Sequence, residues 1–208
     1  MWYDQSNGRF FEETIGRLKP YLQSVDFRGD IDLNCFIQNQ TVYPIEVTAR
    51  LGCPITHSQS VMHISPWYEF LGAVADGEGY DLQHRNGYCI ALTLALPPFP
   101  YEGTLAKEYS SEGLELFFRS VLSEVEMKNI HFEAMEKKKS DTMERYFVTQ
   151  SIGYALFVTG YGDTVLDAQK NVYGLAKKIV LPKVFYRTDI GSSFVRTDKS
   201  LLESWGWI

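Results

Sequence analysis

The sequence predicts an α+β fold with mainly antiparallel strands. Residues 29–38 and 41–49 alternate apolar and polar side chains around a polar turn, which is typical of a β-hairpin. Residues 164–179 repeat apolar side chains at helical spacing, which predicts an amphipathic helix. Together with further strand-like runs in the second half, these elements are typical of an α+β fold.

Two helices are predicted around the hairpin. Residues 11–24 carry Phe11, Ile15, Leu18 and Leu22 at helical spacing, and Pro20 inside this pattern should kink or shorten the helix. Ser65 followed by Pro66 predicts a second helix, with the serine as N-cap and the proline in the first turn. Gly77 and Gly79 are expected to end that helix.

The stretch DGEGYDLQHRNG, residues 76–87, is the best candidate for a domain boundary. We therefore expect one domain over residues 1–80 and a second over 81–208. The second is predicted to contain a strand at 88–96, a helix or irregular stretch around 111–125, strands near 129–137 and 144–159, and the helix at 164–179 capped by Asp163.

Composition narrows the class of function. The 208 residues are 45% hydrophobic and 14% aromatic, which is enough to fill a core, so disorder is not expected. The net charge is −6, and the one dense basic run, Lys137 to Lys139, adjoins Glu136, so no nucleic-acid partner is predicted. Apolar runs shorter than the ~20 residues of a membrane helix predict no membrane partner. Three widely spaced cysteines predict a reduced, cytoplasmic setting.

The alternation of side chains narrows the possible registers of the hairpin. If residues whose numbers sum to 80 face each other, Leu33 opposes Val47, Cys35 opposes Ile45 and Ile37 opposes Tyr43, which gives one apolar face. The other face then pairs Asp30 with Arg50, Asp32 with Thr48 and Asn34 with Glu46. A slip of one residue would mix the two faces, so the pattern favours this register or one two residues away.

The second face is rich in oxygen atoms, from Asp32, Asn34, Glu46 and Thr48, with Arg50 at its edge. Carboxylate and amide oxygens suit Mg²⁺, which takes few protein ligands and shares the rest with water and phosphate. The alternative is an ordinary solvent-facing side of an antiparallel sheet, where such residues are common.

Three motifs, and the strand that precedes the first of them, resemble the phosphoribosylamine–glycine ligase family of the ATP-grasp superfamily. YPIEVTARLGCP is similar to that family's hEhNhRhGDPE, where h is apolar or variable, and FRGDIDLNCFIQ resembles the preceding strand. VTGYGDTVLDAQKNVYGLAKKI resembles VTAxGxTLxEAxxxAY, and VFYRTDIG resembles YRxDIG. The likeness runs through roughly residues 10 to 191. It implies the C-terminal part of an ATP-grasp domain, an antiparallel sheet with helices, followed by a small mixed α/β C-terminal domain.

The resemblance also implies a reaction and a site. In this family ATP converts the carboxylate of glycine to an acyl phosphate, which the amine of phosphoribosylamine attacks, a step of purine biosynthesis. The family's E-x-N residues, which bind the Mg²⁺ (or Mn²⁺) that bridges the ATP phosphates, fall on Glu46 and Thr48. Other ATP-grasp enzymes place a further ligand twelve residues earlier, here Asn34. Arg50 falls on the motif's arginine, near phosphate or substrate.

Departures from the family motif leave two alternatives open. Thr48 replaces the family's asparagine, and Cys53 and Ile55 replace the acids of GDPE. The chain could therefore be a degenerate, non-catalytic remnant that acts as an interaction module, or an ATP-grasp ligase with another substrate pair. Because the Gly-rich loop and the basic phosphate-holding residues of ATP-grasp enzymes are not recognisable here, we expect an N-terminal ligase portion to act as a partner, in cis or in trans.

Other candidate sites have simpler, structural interpretations. Cys53, His57 and His63 do not have a standard zinc spacing. GYGDT, residues 160–164, has the G-x-G of phosphate-binding loops but is better explained as a turn before a helix. Arg187 and Asp189 could pair locally. The tryptophans of the C-terminal LLESWGWI are expected to pack on the chain itself more readily than on a partner.

Overall fold

The computed structural model describes residues 1–3, 8–101, 109–139, 143–149 and 153–208. The chain forms two compact units, one from Met1–Gly87 with Gly191–Ile208 and the other from Tyr88–Ile190. The assignment of residues 1–80 and 81–208 to two domains of the ligase type stays a prediction.

The first unit begins with short helices around one hairpin. Its elements are α1 (Arg9–Glu13), a 3₁₀-helix (Ile15–Leu18), α2 (Lys19–Ser24), β1 (Asp32–Gln38), β2 (Thr41–Thr48), α3 (Ile55–Met62) and α4 (Trp67–Asp76). The helix predicted over residues 11–24 is interrupted at Thr14, where φ is −120° and ψ is −105°. Pro20 lies in the first turn of α2, where its missing N–H costs no helical hydrogen bond.

Helix α4 ends as predicted but begins differently. Gly77 has a φ of 71° and closes the C-terminus in the left-handed conformation that glycine adopts easily. The N-cap is Pro66, so the prediction that Ser65 caps this helix is wrong. The Ser65 hydroxyl instead accepts a hydrogen bond of 2.8 Å from the backbone N–H of Gln83.

In its described residues, the second unit is a pair of antiparallel sheets with two helices. Its elements are β3 (Tyr88–Ala95), β4 (Glu115–Phe118), α5 (Glu124–Lys128), β5 (Ile130–Phe132), β6 (Met135–Lys139), β7 (Glu144–Val148), β8 (Tyr154–Gly162), α6 (Val165–Ala176) and β9 (Ile179–Val180). Strand order is β3-β8-β5 in one sheet and β6-β7-β4-β9 in the other. Every pairing between described strands is antiparallel, which confirms the predicted α+β class.

Several local predictions in this unit need correction. The strand predicted near 129–137 is divided into β5 and β6, and the strand predicted near 144–159 into β7 and β8. Strand β4 occupies part of the stretch around 111–125 where a helix or irregular chain was expected, and α5 starts only at Glu124. The N-cap of α6 is Thr164 and not Asp163, because the Thr164 hydroxyl accepts a hydrogen bond of 3.1 Å from the Asp167 N–H.

The core of this unit lies where α6 packs on the sheet. Ala168, Val172, Leu175 and Ala176 of α6 are buried, as the helical pattern predicts, whereas Leu166 is exposed. A Cβ atom on Gly160 of β8 would lie only 2.4 Å from the backbone nitrogen of Val172. The G-x-G of GYGDT therefore allows close contact between helix and strand, and β8 runs on through Gly162.

The chain then returns to the first unit through a π-helix (Phe194–Asp198) and α7 (Lys199–Ser204). Trp207 is buried, and its Nε1–H donates a hydrogen bond of 2.7 Å to the Asn39 carbonyl at the hairpin turn. The Arg9 guanidinium lies 4.1 Å above the Trp207 ring. The prediction that this tail packs on its own chain is confirmed for Trp207.

Candidate functional site

The hairpin places the predicted site residues in the expected register at its open end. Asp32 lies opposite Thr48, Leu33 opposite Val47 and Asn34 opposite Glu46. Because alternate residues of a strand share a face, the four polar side chains lie on one side of the sheet. Directly opposite residues have Cβ atoms about 4.5–5.5 Å apart, so their oxygen atoms can reach a common ligand.

A β-bulge changes the register beyond Asn34. Cys35 lies opposite Pro44 and Ile37 opposite Val42, so the predicted pairs Cys35–Ile45 and Ile37–Tyr43 are wrong. The ladder skips Ile45, next to Pro44, which has no N–H to donate to the partner strand. The residue at the bulge is largely exposed: 59% of the Ile45 surface is accessible.

Arg50 and Asp30 lie outside the ladder, since β1 begins at Asp32 and β2 ends at Thr48. The pairing of Asp30 with Arg50 that the register predicted is therefore not formed as a strand pair. Arg50 is exposed, and its Nη1 donates a hydrogen bond of 3.0 Å to the Leu51 carbonyl. Its role towards phosphate or substrate stays a prediction.

Asp30 and Asp32 are close neighbours in a half-buried polar region. Burial raises the pKa of Asp30, the charge of Asp32 raises it further, and a hydrogen bond from the Gln59 side chain partly offsets both effects. The segment after β2 folds back towards Asp32. A Cβ atom added to Gly52 would lie 3.0 Å from the Asp32 Oδ2. Gly52 thus provides room beside the Asp32 carboxylate.

A histidine–tyrosine cluster next to this region could not be identified from the sequence. The Tyr3 hydroxyl is hydrogen-bonded to Nε2 of His63, and the Tyr3 ring stacks on His84 with centroids 4.3 Å apart. Burial, followed by the charge of Asp30, raises the pKa of Tyr3 to about 12. Burial lowers the pKa of His63, and the neighbouring His84 lowers it further.

The one sequence signal for this cluster is the spacing of Gln59 and His63. Residues four apart lie on the same face of a helix; Gln59 lies within α3 and His63 is its C-cap, and the two contact Asp30 and Tyr3 respectively. Each carries a buried polar atom, Gln59 Oε1 and His63 Nδ1, with no hydrogen-bond partner among the residues that the structure describes.

The donor atoms of the oxygen-rich face fit a magnesium ion. Within the described ranges, no three His, Cys, Asp or Glu side chains come together as a metal site of their own. The face offers two carboxylates, from Asp32 and Glu46, with the amide oxygen of Asn34 and the hydroxyl of Thr48. Mg²⁺ is commonly held by one or two carboxylates and completes its shell with water and phosphate, so such a set is sufficient.

The other candidate sites have structural roles. His63 contacts Tyr3 and stacks on Trp67 with ring centroids 4.4 Å apart, and the described residues place no zinc cluster around it. Arg187 and Asp189 form the predicted local ion pair, at 2.8 Å. The Tyr173 hydroxyl anchors the same segment, since it donates to the Arg187 carbonyl and accepts from the Ile190 N–H.

Comparison with known proteins agrees with the resemblance seen in the motifs. Over 158 residues the chain is 30% identical to phosphoribosylamine–glycine ligase of Pasteurella multocida, an alignment that covers 75% of this chain and 33% of the relative. This chain is a relative of the phosphoribosylamine–glycine ligases. The enzyme of the same name from Halalkalibacterium halodurans is 28% identical over 151 residues, 73% of this chain and 32% of the relative. No family model matches the sequence.

A solved structure shows the same fold. The crystal structure of phosphoribosylamine–glycine ligase from Thermotoga maritima superposes with a TM-score of 0.63 at 19% sequence identity, covering 86% of this chain and 43% of that one. The chain spans about a third of the length of the curated relatives it matches. None of the helices described is long and apolar enough to cross a membrane. The cytoplasmic location stays a prediction.

Proposed function

We propose that this chain forms part of an ATP-dependent carboxylate–amine ligase that joins glycine to phosphoribosylamine through an acyl phosphate, in purine biosynthesis. The observation that carries the proposal is the pairing of Asn34 with Glu46 across the hairpin. This pair stands at the positions that the motif resemblance assigns to the nucleotide-bound metal. The similarity to curated ligases supports the same reaction.

The side chains of the oxygen-rich face would hold the metal and ATP. Glu46 supplies a full negative charge and two oxygens, Asn34 an amide oxygen directly opposite, and Thr48 a hydroxyl two residues further along the strand. Mg²⁺ or Mn²⁺, when bound, neutralises and orients the phosphate oxygens during phosphoryl transfer. Arg50, with its exposed guanidinium two residues beyond β2, would contact phosphate or the glycine carboxylate.

The remaining parts of the reaction site would come from a partner segment. In this proposal an N-terminal ligase portion, in cis or in trans, supplies the basic residues and the Gly-rich loop that hold the ATP phosphates. The share of the relatives' length that this chain covers, about a third, is consistent with such a division. The small-molecule substrates would be ATP, glycine and phosphoribosylamine.

A second candidate is an ATP-grasp ligase with a different substrate pair. Cys53, which is exposed, and Ile55, which starts α3, stand where the family motif has acids. An enzyme that lacks both carboxylates would contact a different amine or acid substrate at this point. The site for metal and ATP would be the same in both candidates, so only the substrate pair distinguishes them.

Reconstitution tests the proposal. The chain is combined with the N-terminal two thirds of a related ligase, and phosphate release is measured with ATP, glycine and phosphoribosylamine. We expect release that requires all three substrates and both polypeptides, and that Glu46→Gln abolishes it. Release with a different acid or amine would favour the second candidate. If no substrate in a panel of amino acids and amines supports release, although ATP and metal bind, the chain is the non-catalytic interaction module.

A further inference from the structure

Asp32 is the one carboxylate besides Glu46 that the β1–β2 ladder places on the oxygen-rich face. We propose that Asp32 is a ligand of the metal and replaces Thr48, whose hydroxyl is a weak metal ligand. This inference rests on the proposed function, since it concerns the same metal and nucleotide site. It adds a residue that the motif resemblance does not select.

The register places the two residues side by side. Asp32 lies directly opposite Thr48, so their Cβ atoms are about 4.5–5.5 Å apart and either side chain can approach the same ion. Glu46 is the diagonal neighbour of Asp32, at a distance that two carboxylates sharing one ion can span. A ligand on β1 can therefore replace a ligand on β2, because the two side chains lie next to each other.

The chemistry of the two side chains also favours Asp32 over Thr48 as the metal ligand. A threonine hydroxyl is neutral and offers one oxygen, whereas an aspartate offers two oxygens and a full charge. With Thr48 in the motif, Glu46 alone would supply the negative charge at a divalent ion. Asp32 restores a second donor of high affinity, and hard cations such as Mg²⁺ prefer carboxylate oxygens.

Among the ion pairs within the part of the chain that the structure describes, none includes Asp32. Arg50, at the edge of the same face, donates to the Leu51 carbonyl. The carboxylate is half-buried, with Asp30 close by and Gly52 against its Oδ2. Two neighbouring half-buried carboxylates repel each other, and a cation on this face would relieve the repulsion.

The experiment is a swap of donors between the two strands, with Mn²⁺ as the probe and electron paramagnetic resonance of free Mn²⁺ as the readout. Five variants of the whole chain are compared: Asp32→Asn, Thr48→Asn, the double variant of these two, Asp32→Glu, and Glu46→Gln. Asp76→Asn, an exposed aspartate at the end of α4, is the matched control. Circular dichroism confirms that each variant is folded, and Asp32→Glu keeps the charge if Asp32→Asn does not fold.

We expect Asp32→Asn to weaken Mn²⁺ binding about tenfold or more, the scale on which metal sites respond to loss of a supporting oxygen. Asp32→Glu and Asp76→Asn should retain the affinity, and Thr48→Asn should restore most of it in the Asp32→Asn background. Unchanged affinity in Asp32→Asn, with affinity lost in Glu46→Gln, would overturn the role of Asp32 and leave the proposed function intact. Unchanged affinity in both would overturn the metal site itself.

Discussion

Asn34 lies directly opposite Glu46 in the antiparallel ladder of β1 and β2. These two residues are 12 positions apart in the sequence, yet the hairpin brings an amide and a carboxylate together on one face. Alternation of polar and apolar residues favoured this pair, and the motif resemblance assigns the same two positions to the metal. The site therefore depends on a register that each strand's own side chains specify.

Two glycines near α6 should respond in opposite ways to alanine. Gly160→Ala places a Cβ atom 2.4 Å from the Val172 nitrogen and 2.7 Å from the Ala168 carbonyl oxygen, so helix and strand must separate. We expect a loss of about 2–3 kcal/mol in the free energy of unfolding. Gly174→Ala meets no atom within 4 Å and should stabilise α6 by about 0.5–1 kcal/mol. Urea unfolding followed by circular dichroism measures the free energy of unfolding of both variants. Equal changes in the two would contradict the close packing of Gly160 against α6.

The N-cap of α6 gives a second matched pair. Thr164→Ala removes the hydroxyl that accepts the Asp167 N–H, and should cost about 1 kcal/mol of unfolding free energy. Asp163→Ala removes the neighbouring carboxylate, whose Oδ1 accepts a hydrogen bond of 3.4 Å from the Tyr161 hydroxyl. We expect a smaller loss there. A larger cost for Asp163→Ala would restore the sequence-based assignment of the cap.

The C-terminal tail should stabilise the first unit through Trp207. Trp207→Ala removes a buried ring beneath Arg9, and large buried side chains replaced by alanine cost about 3–5 kcal/mol. Trp207→Phe keeps most of the ring and loses the hydrogen bond to the Asn39 carbonyl, so we expect about 1 kcal/mol plus a smaller packing loss. Amide hydrogen exchange at the hairpin turn measures the effect. Protection that survives Trp207→Ala would contradict this role.

Stability of the first unit should fall as the pH drops below neutrality, because of His63. Its pKa in the folded chain lies below the ordinary value of 6.5, so at mildly acidic pH the unfolded chain binds more protons than the folded one. This contribution is fully present above pH 6.5 and is lost as the pH falls from there through the folded pKa. In the variant His63→Phe, the loss between pH 7.5 and about 5.5 should be smaller.

Tryptophan fluorescence is a suitable readout for this measurement. All four tryptophans (Trp2, Trp67, Trp205 and Trp207) lie in the segments that form the first unit. Urea unfolding at several pH values then gives the difference between the two proteins. Identical pH dependence in the parent chain and His63→Phe would show that His63 titrates normally in the folded state.

The sequence predicted the elements better than their details, for physical reasons. Alternation predicted the pairs at the open end of the hairpin, but Pro44 and the skipped Ile45 shift every later pair by one residue. Pro44 is the signal for this shift in the sequence, because a proline inside a strand favours a bulge. Thr164 and Asp163 are both good N-cap residues, and only the backbone geometry decides between them.

The surroundings of the site lay beyond sequence reasoning. Tyr3, His63 and His84 are 60 and 21 residues apart along the chain, and no periodicity connects positions at such distances. The proximity of Asp32 to Gly52 likewise depends on how the segment after β2 folds back. The alternation of side chains could identify the oxygen-rich face, but the residues packed around it could be identified only from the tertiary structure.

The most direct test of the metal assignment is the binding of Mn²⁺ to Glu46→Gln, compared with the parent chain. Glu78→Gln, an exposed glutamate beyond α4, is the matched control because both changes remove one charge and keep the shape of the side chain. We predict that Glu46→Gln weakens binding about tenfold or more and that Glu78→Gln leaves it unchanged. Equal affinity in Glu46→Gln and Glu78→Gln would contradict the placement of the metal at the Asn34–Glu46 pair.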